Sequence, residues 1–168
     1  MIEKNLRKNF IINSLIVFSI FLLDRLSKIY VIYLDKKFLG SEIFSSKFLD
    51  INLIWNDGIA FGLFSFDDKM LYDILTILIL IVIIALIFMT LGSQGAKKYS
   101  LLMILGGALG NVFDRLFYRA VPDFLDFHVG NYHWFIFNVA DIFITLGVIF
   151  MIILEFIGNN HKNNYEIS

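Results

Sequence analysis

Four stretches of this 168-residue chain, roughly 10–33, 70–91, 100–118 and 135–157, are apolar over about the length that a hydrocarbon core of ~30 Å requires of one helix. In lipid every backbone N–H and C=O must find its partner within the protein, so runs of this kind are committed to helices. A hydrophobic content of 58%, a mean hydropathy of +0.76 and one proline exclude an ordinary soluble domain. The expectation is an all-α membrane protein of one domain, residues 1–168, with four transmembrane helices and a small extracytoplasmic β-rich loop domain. The first run, Phe10 to Leu23, has the length of a signal-peptide core, but no small-x-small cleavage site follows it. It meets Asp24-Arg25 and continues apolar to Leu34, which reads as an uncleaved first helix.

Four spans place both termini on one side. Lys4, Arg7 and Lys8 precede the first run and Lys97 and Lys98 lie in the short second connection, so the termini are expected in the cytoplasm. Lys36, Lys37, Lys47 and Lys69 in the long first connection, about 35–69, are offset by six acids. Within that connection Phe48 to Trp55 partly alternates apolar with polar before Asn56-Asp57-Gly58, the pattern of a strand entering a turn. Trp55, Tyr132 and Trp134 suit the interfacial aromatic belt. Trp55, Phe61, Phe64 and Phe66, with Gly58 and Gly62 supplying backbone freedom, suggest a movable cover on the outer face.

Several chemistries are excluded. A net charge of −1 gives no reason to expect nucleic acid, and with no cysteine there is no thiol nucleophile, disulfide or thiolate site. His128 and His133 are five residues apart, which does not match the spacing of a zinc helix, so neither a metal nor another cofactor is expected and a structural role is assigned to both. Asp50, Asp67, Asp68 and Asp126 read as solvated loop charges.

The informative acids are Asp123 and Asp141, each beside an apolar run and each within a short polar motif, Val121-Pro122-Asp123-Phe124 and Phe137-Asn138-Val139-Ala140-Asp141. A carboxylate at the edge of hydrocarbon is costly, and is read as a working group or as the partner of one. Two brought together can share a proton and activate water without a metal. Asn138 and Asp141, three apart, are expected on one face of the fourth helix. In the first helix Asp24 and Lys28, four apart, can pair inside the bundle, or Lys28 can snorkel to the interface. Ser27 and Lys28 cannot form a catalytic dyad, since adjacent helical residues diverge by ~100°. In the third helix Gly106 and Gly110 form a small-xxx-small seam, and Asn111, Asp114 and Arg115 follow on one face. Asn111 and Arg115 suit a substrate backbone, for which arginine offers a fixed fork of donors; Asp114 and Arg115 could equally pin loops.

Taken together these motifs closely resemble the lipoprotein signal peptidases (signal peptidase II), bacterial membrane aspartyl peptidases. The resemblance runs over essentially the whole chain: Asp24-x-x-Ser27-Lys28, Asn56-x-Gly58-x-Ala60-Phe61, Gly110-Asn111-x-x-Asp114-Arg115, Val121-x-Asp123-Phe124 and Phe137-Asn138-x-Ala140-Asp141, all in the family's order. It implies that Asp123 and Asp141 are the catalytic dyad and that Asp24, Lys28, Asn56, Gly58, Asn111, Arg115 and Asn138 line or brace the substrate pocket, with Asp114 in support. It also implies a metal-free enzyme of the bacterial inner membrane, acting as a monomer among membrane lipids and cutting diacylglyceryl-modified prolipoproteins before the lipidated cysteine. Pro122 departs from the family, which usually has an aliphatic residue there. Two other readings compete: a small transporter or proton conductor using Asp24, Lys28, Asp114, Arg115 and Asp141 as a polar path, and a purely structural membrane subunit. Against the first stand the clustering of the acids near one face and the lack of an inverted repeat.

Overall fold

The computed structural model describes the backbone of residues 2–58 and 69–166 and the side chains of residues 7–58 and 70–158. The expected cover residues Phe61, Gly62, Phe64 and Phe66, the motif residues Ala60 and Phe61, and the acids Asp67 and Asp68 lie outside the described residues. The elements run α1 (Ile2–Lys37), β1 (Phe44–Ser45), β2 (Leu49–Asn56), α2 (Lys69–Gly92), α3 (Gly95–Tyr118), β3 (Val121–Val129), β4 (Tyr132–Phe137) and α4 (Val139–Glu166).

Among the described residues three helical stretches are long and apolar enough to cross a membrane: Met70–Gly92, Gly95–Tyr118 and Val139–Gly158. At ~1.5 Å per residue the 24 residues of α2 and of α3 each reach about 36 Å. The first helix, α1, is longer at 36 residues but interrupts its apolar run with Asp24, Arg25 and Lys28. The centre of the bundle is α3, which touches α1, α2 and α4. Glycine makes that possible: a Cβ at Gly106 would fall 2.8 Å from Cβ of Ile20 and one at Gly110 2.5 Å from an Asp24 oxygen, while one at Gly107 would fall 2.5 Å from the Ala140 carbonyl. The Gly106/Gly110 seam therefore packs on α1, and the intervening Gly107 admits α4.

At one end of the bundle the four strands form an antiparallel sheet in the order β1-β2-β3-β4. The strand expected before Asn56 is β2. The other half of the sheet is a β3–β4 hairpin between α3 and α4, a region for which the sequence suggests only that Asp126 is a loop charge. Two features of the sequence explain it. Val121 to Val129 is rich in β-branched and aromatic residues, and Gly130-Asn131 supplies a two-residue turn with Gly130 at φ +60°. Phe135 to Phe137, expected within the fourth span, belong to β4, and the helix begins only at Val139.

Asn138 makes that boundary. Its side-chain oxygen accepts the Asp141 N–H at 3.2 Å, and the Asp141 carboxylate accepts the Asn138 N–H at 3.1 Å. This is the reciprocal arrangement of a capping box, with Asn138 as cap and Asp141 at the third helical position. The two residues are thus linked across the helix start rather than side by side on a helix face.

The loop acids also differ from expectation. Asp126 is only 9% exposed and holds Nδ1 of His133 at 2.8 Å; Asp50 is half-buried, accepts from Ser45 at 2.7 Å and faces Nε2 of His128 at 3.2 Å. The register pairs Asp50 with Asp126 and His128 with His133, so sheet geometry gathers all four, and the two imidazoles stack 5.1 Å apart. Strand pairing, invisible in residue spacing, shields the two carboxylates, while His133 stays exposed.

Candidate active site

The sheet and the start of α4 bring Asp123 and Asp141 together. Asp123 stands on β3 opposite Ile54 of β2, so Asn56, two residues further along β2, reaches it: Nδ2 of Asn56 donates to Oδ2 of Asp123 at 2.8 Å. The other carboxylate oxygen accepts Nδ2 of Asn138 at 2.6 Å. Asn138 therefore touches both acids, Asp123 through its side-chain nitrogen and Asp141 through the cap. Asp141 receives a further hydrogen bond at Oδ1 from Nδ2 of Asn111 on α3, 2.8 Å away. Burial, and then the negative charge of Asp141, raises the Asp123 pKa to about 6 against the pull of the Asn56 and Asn138 amides.

Behind this pair lies a closed group of four charges. Lys28 is 1% exposed, and its Nζ donates to Asn111 at 2.9 Å, to Asp114 at 2.7 Å and to Asp24 at 2.9 Å. Arg25 clasps both oxygens of Asp114, 2.7 Å separating Nη2 from Oδ2, and binds Asp24 through Nη2 at 2.9 Å, while its guanidinium lies 4.9 Å from the centre of the Phe113 ring. Two acids and two bases neutralise each other where isolated charges would be prohibitive. The second Asp24 oxygen accepts the backbone N–H of Ala140 at 3.0 Å, which ties α1 to the first turn of α4. Asp24, Lys28 and Asp114 are completely enclosed, so they brace the site from behind. The spacing of Asp24 and Lys28 revealed their pairing. The part of Arg25 was missed; the signal available was a second base beside an acid in an apolar run.

Between α2, α3 and α4 a cleft of ≈ 410 Å³ opens, with Asn111, Arg115 and Asp141 at its polar part and Leu75, Ile79, Ile144 and Val148 along its apolar walls. Asp141 also borders a second apolar recess of ≈ 350 Å³ with Phe135, Phe137 and Leu146. Arg115 is 6% exposed, lies over the Tyr72 ring at 5.6 Å and donates through Nη2 to the Gly58 carbonyl at 2.6 Å. Its Nε and Nη1 have no partner among the described residues. Gly58 sits at the end of the turn after β2, where its N–H is held by the Asn56 side chain at 2.9 Å. All ten sequence-derived site residues thus converge on one end of the bundle, with Asn111, Arg115 and Asp141 on the cleft wall and Asn56 and Asn138 holding Asp123. Among the described residues no group of three or more His, Cys, Asp or Glu side chains is arranged to hold a metal.

A bundle of membrane-length helices whose apolar cleft is bordered by one carboxylate, Asp141, itself tied through Asn138 to a second, Asp123, fits a membrane aspartic peptidase. Comparison with known proteins makes the class specific: residues 16–157 match the family described as signal peptidase (SPase) II. The lipoprotein signal peptidase of Pelagibacter ubique is 48% identical over 157 residues, covering 94% of this chain and 95% of that one. That of Anaplasma marginale is 35% identical, covering 88% and 86% respectively. Two solved structures described as bacterial membrane enzymes superpose with TM-scores of 0.74 and 0.68, at 29% and 32% identity, covering 89% and 84% of this chain and 90% of each of those chains. The chain belongs to the signal peptidase II family.

Proposed function

We propose that this protein cleaves the signal peptide from diacylglyceryl-modified prolipoproteins, on the N-terminal side of the lipidated cysteine, using Asp123 and Asp141 as an aspartyl dyad. The observation that carries the assignment is the position of Asn138, bonded at once to both acids at the edge of an apolar cleft. One carboxylate, ionised, takes a proton from a water held between the pair; the other, protonated, donates to the scissile carbonyl oxygen as the water oxygen attacks. The tetrahedral intermediate collapses as the leaving nitrogen is protonated, and the dyad is left with one shared proton, ready for the next turnover. Because the acids are coupled, the proton belongs to the pair and not to either residue.

The flanking groups hold this chemistry in place. Asn56 and Asn138 fix the Asp123 carboxylate, Asn111 fixes that of Asp141, and Lys28 fixes Asn111 from behind. The unspent donors of Arg115 are suited to peptide carbonyls of an extended segment crossing the cleft, with Gly58 setting the arginine's tilt. The two apolar recesses that meet at Asp141 suit a substrate that brings both a signal helix and acyl chains. In this reading α1 is the fourth span, its charges cancelled by α3, and the chain is one monomeric domain of the inner membrane with cytoplasmic termini and lipid around it. A transporter path gains nothing from the geometry, because Asp24, Arg25, Lys28 and Asp114 close on one another instead of lining a passage.

The direct test is incubation of the purified protein in detergent with a diacylated prolipoprotein and with its unlipidated form. Shortening of the lipidated substrate alone, lost in Asp123→Asn and Asp141→Asn, is the expected result. Cleavage by both variants at the normal rate would remove the dyad.

A further inference from the structure

The side of α3 that faces α1 and α2 carries a larger concavity, running from Phe10 and Lys98 at the end of the bundle opposite the sheet up to Leu116 and Phe117, and neither Asp123 nor Asp141 lines it. A cleft of ≈ 570 Å³ runs between α1, α2 and α3, walled by apolar side chains including Phe18, Phe21, Ile87, Leu105 and Phe113. Its volume lies within the range usual for small-molecule sites. At the level of Phe10, Asn13, Leu91 and Lys98 it is continuous with a basin of ≈ 660 Å³ that is about half polar and that Asn9, Ser93, Gln94 and Gly95 also line. Among the described residues no acidic side chain lines either space. Lys98 belongs to both, is half-buried, and makes no ion pair among the described residues. The start of α3 opens into the same basin, where Gln94 provides no side-chain cap.

We propose that this groove is a binding site for one anionic phospholipid, with acyl chain in the apolar cleft and phosphate in the basin against Lys98. The shape is that of an amphiphile: a long dry slot leading to a compact polar chamber, on three helices that lipid already surrounds. Charge selects the headgroup. A lone half-buried ammonium without a carboxylate gains from a phosphate that carries net charge, whereas a zwitterionic headgroup brings its own cation into a chamber that offers that cation no acid. Asn13 and Gln94 can donate to phosphate oxygens, and the uncapped first turn of α3 adds backbone donors of the right polarity. The amphiphilic shape and the unpaired Lys98 are independent observations that point to the same occupant.

The test is native mass spectrometry of the full chain released from detergent micelles containing an anionic or a zwitterionic phospholipid with identical acyl chains. The expected result is one tightly retained lipid with preference for the anionic form. Lys98→Gln should reduce that preference about fivefold, equivalent to the ~1 kcal/mol that a basic residue contributes at an anionic bilayer surface. Ser14→Trp, an exposed position on the slot wall, should lower retention of both lipids by filling the cleft. Lys97→Gln, one residue away but outside both linings, should change neither. Equal retention of the two lipids, or equal effects of Lys97→Gln and Lys98→Gln, would reduce the attraction to a diffuse basic surface and overturn the site. Displacement of the lipid by millimolar inorganic phosphate would also overturn it, since the slot would then contribute nothing. Thermal unfolding of each variant separates lost binding from lost fold.

Discussion

The side-chain amide of Asn138 donates to Asp123 at 2.6 Å while its backbone N–H donates to Asp141 at 3.1 Å, so one residue fixes the relation between the two acids. Serine at 138 keeps an oxygen for the helix cap but is too short to reach Asp123, whereas alanine loses both. Asn138→Ala should therefore cost about 1 kcal/mol of stability and Asn138→Ser much less. Both should lose about a hundredfold in kcat/KM through misplacement of Asp123. Normal turnover by Asn138→Ser, measured alongside thermal unfolding, would show that the cap alone matters.

Asp123→Asn and Asp141→Asn preserve shape but cannot exchange the proton, and loss of a general acid or base removes about 10²- to 10⁴-fold in rate. For Asp123 the effect on stability has a definite sign. The folded state holds this proton up to about pH 6, whereas an aspartate in water releases it near 3.8. With its folded pKa raised, Asp123 contributes stability below the unfolded value that is lost as pH rises through the folded one. Asp123→Asn, which has no proton to release, should thus flatten the fall in stability that the parent shows as pH rises through about 6, though nearly inactive and short of one acceptor for the Asn56 and Asn138 amides. A variant that keeps the parent's full pH dependence of unfolding between about pH 4 and 7 would contradict the assignment of Asp123 as the group that titrates there.

Asn56 favours the ionised form of Asp123 by hydrogen bonding, so its removal raises a pKa already lifted to about 6. The kcat/KM profile of the parent should show an ionisation near pH 6, and in Asn56→Ala that step should move to higher pH. A lower maximum without movement of the step would leave Asn56 a contact of the substrate alone.

The buried charges make an opposite demand on substitution. Lys28→Met leaves Asp24 and Asp114 facing Arg25 alone and strips Asn111 of its anchor, a change that should cost about 3–5 kcal/mol. Adding Asp114→Asn restores one positive to one negative charge, so the double variant should be more stable than Lys28→Met. Additive losses in thermal unfolding would deny that the four charges act as one unit.

That the apolar runs form helices, and that certain polar residues within them meet, was legible because hydrocarbon thickness and the cost of buried charge act on single residues and short spacings. Asp24 and Lys28 are neighbours on one helix, and Gly106 and Gly110 on another, so a local pattern sufficed. What spacing did not show depends on strand pairing. Asp126 and Asp50 leave solvent because β2, β3 and β4 bring His128 and His133 against them. Asp123 reaches Asn56 through a ladder joining residues 67 positions apart. Phe135 to Phe137 were apolar enough to extend the fourth helix on paper, and Asn138 overrode that by capping the helix behind them. Arg25 was hidden differently: its partner Asp114 is 89 residues away, and only the packing of α1 on α3 reveals it.

Arg115 provides the sharpest separation of charge from geometry. Its Nη2 is spent on the Gly58 carbonyl, leaving Nε and Nη1 buried and without a partner among the described residues on a side chain that lines the cleft with Asn111 and Asp141. A lysine can approach the same carbonyl and keeps the charge, but a single nitrogen on a flexible stem cannot hold Gly58 and also present two fixed donors to a substrate. Arg115→Lys should lose about 2 kcal/mol of transition-state binding, roughly thirtyfold in kcat/KM, while retaining most of its stability. Arg115→Met, which also abandons the Gly58 carbonyl and the face of Tyr72, should lose stability as well. If the guanidinium serves the substrate, Arg115→Lys and Arg115→Met will show similar losses in turnover of lipidated prolipoprotein but separate clearly in thermal unfolding. Parent-like kinetics for Arg115→Lys would leave Arg115 as a positive charge that steadies the turn at Gly58, and the peptide would have to be held by Asn111 and the backbone instead.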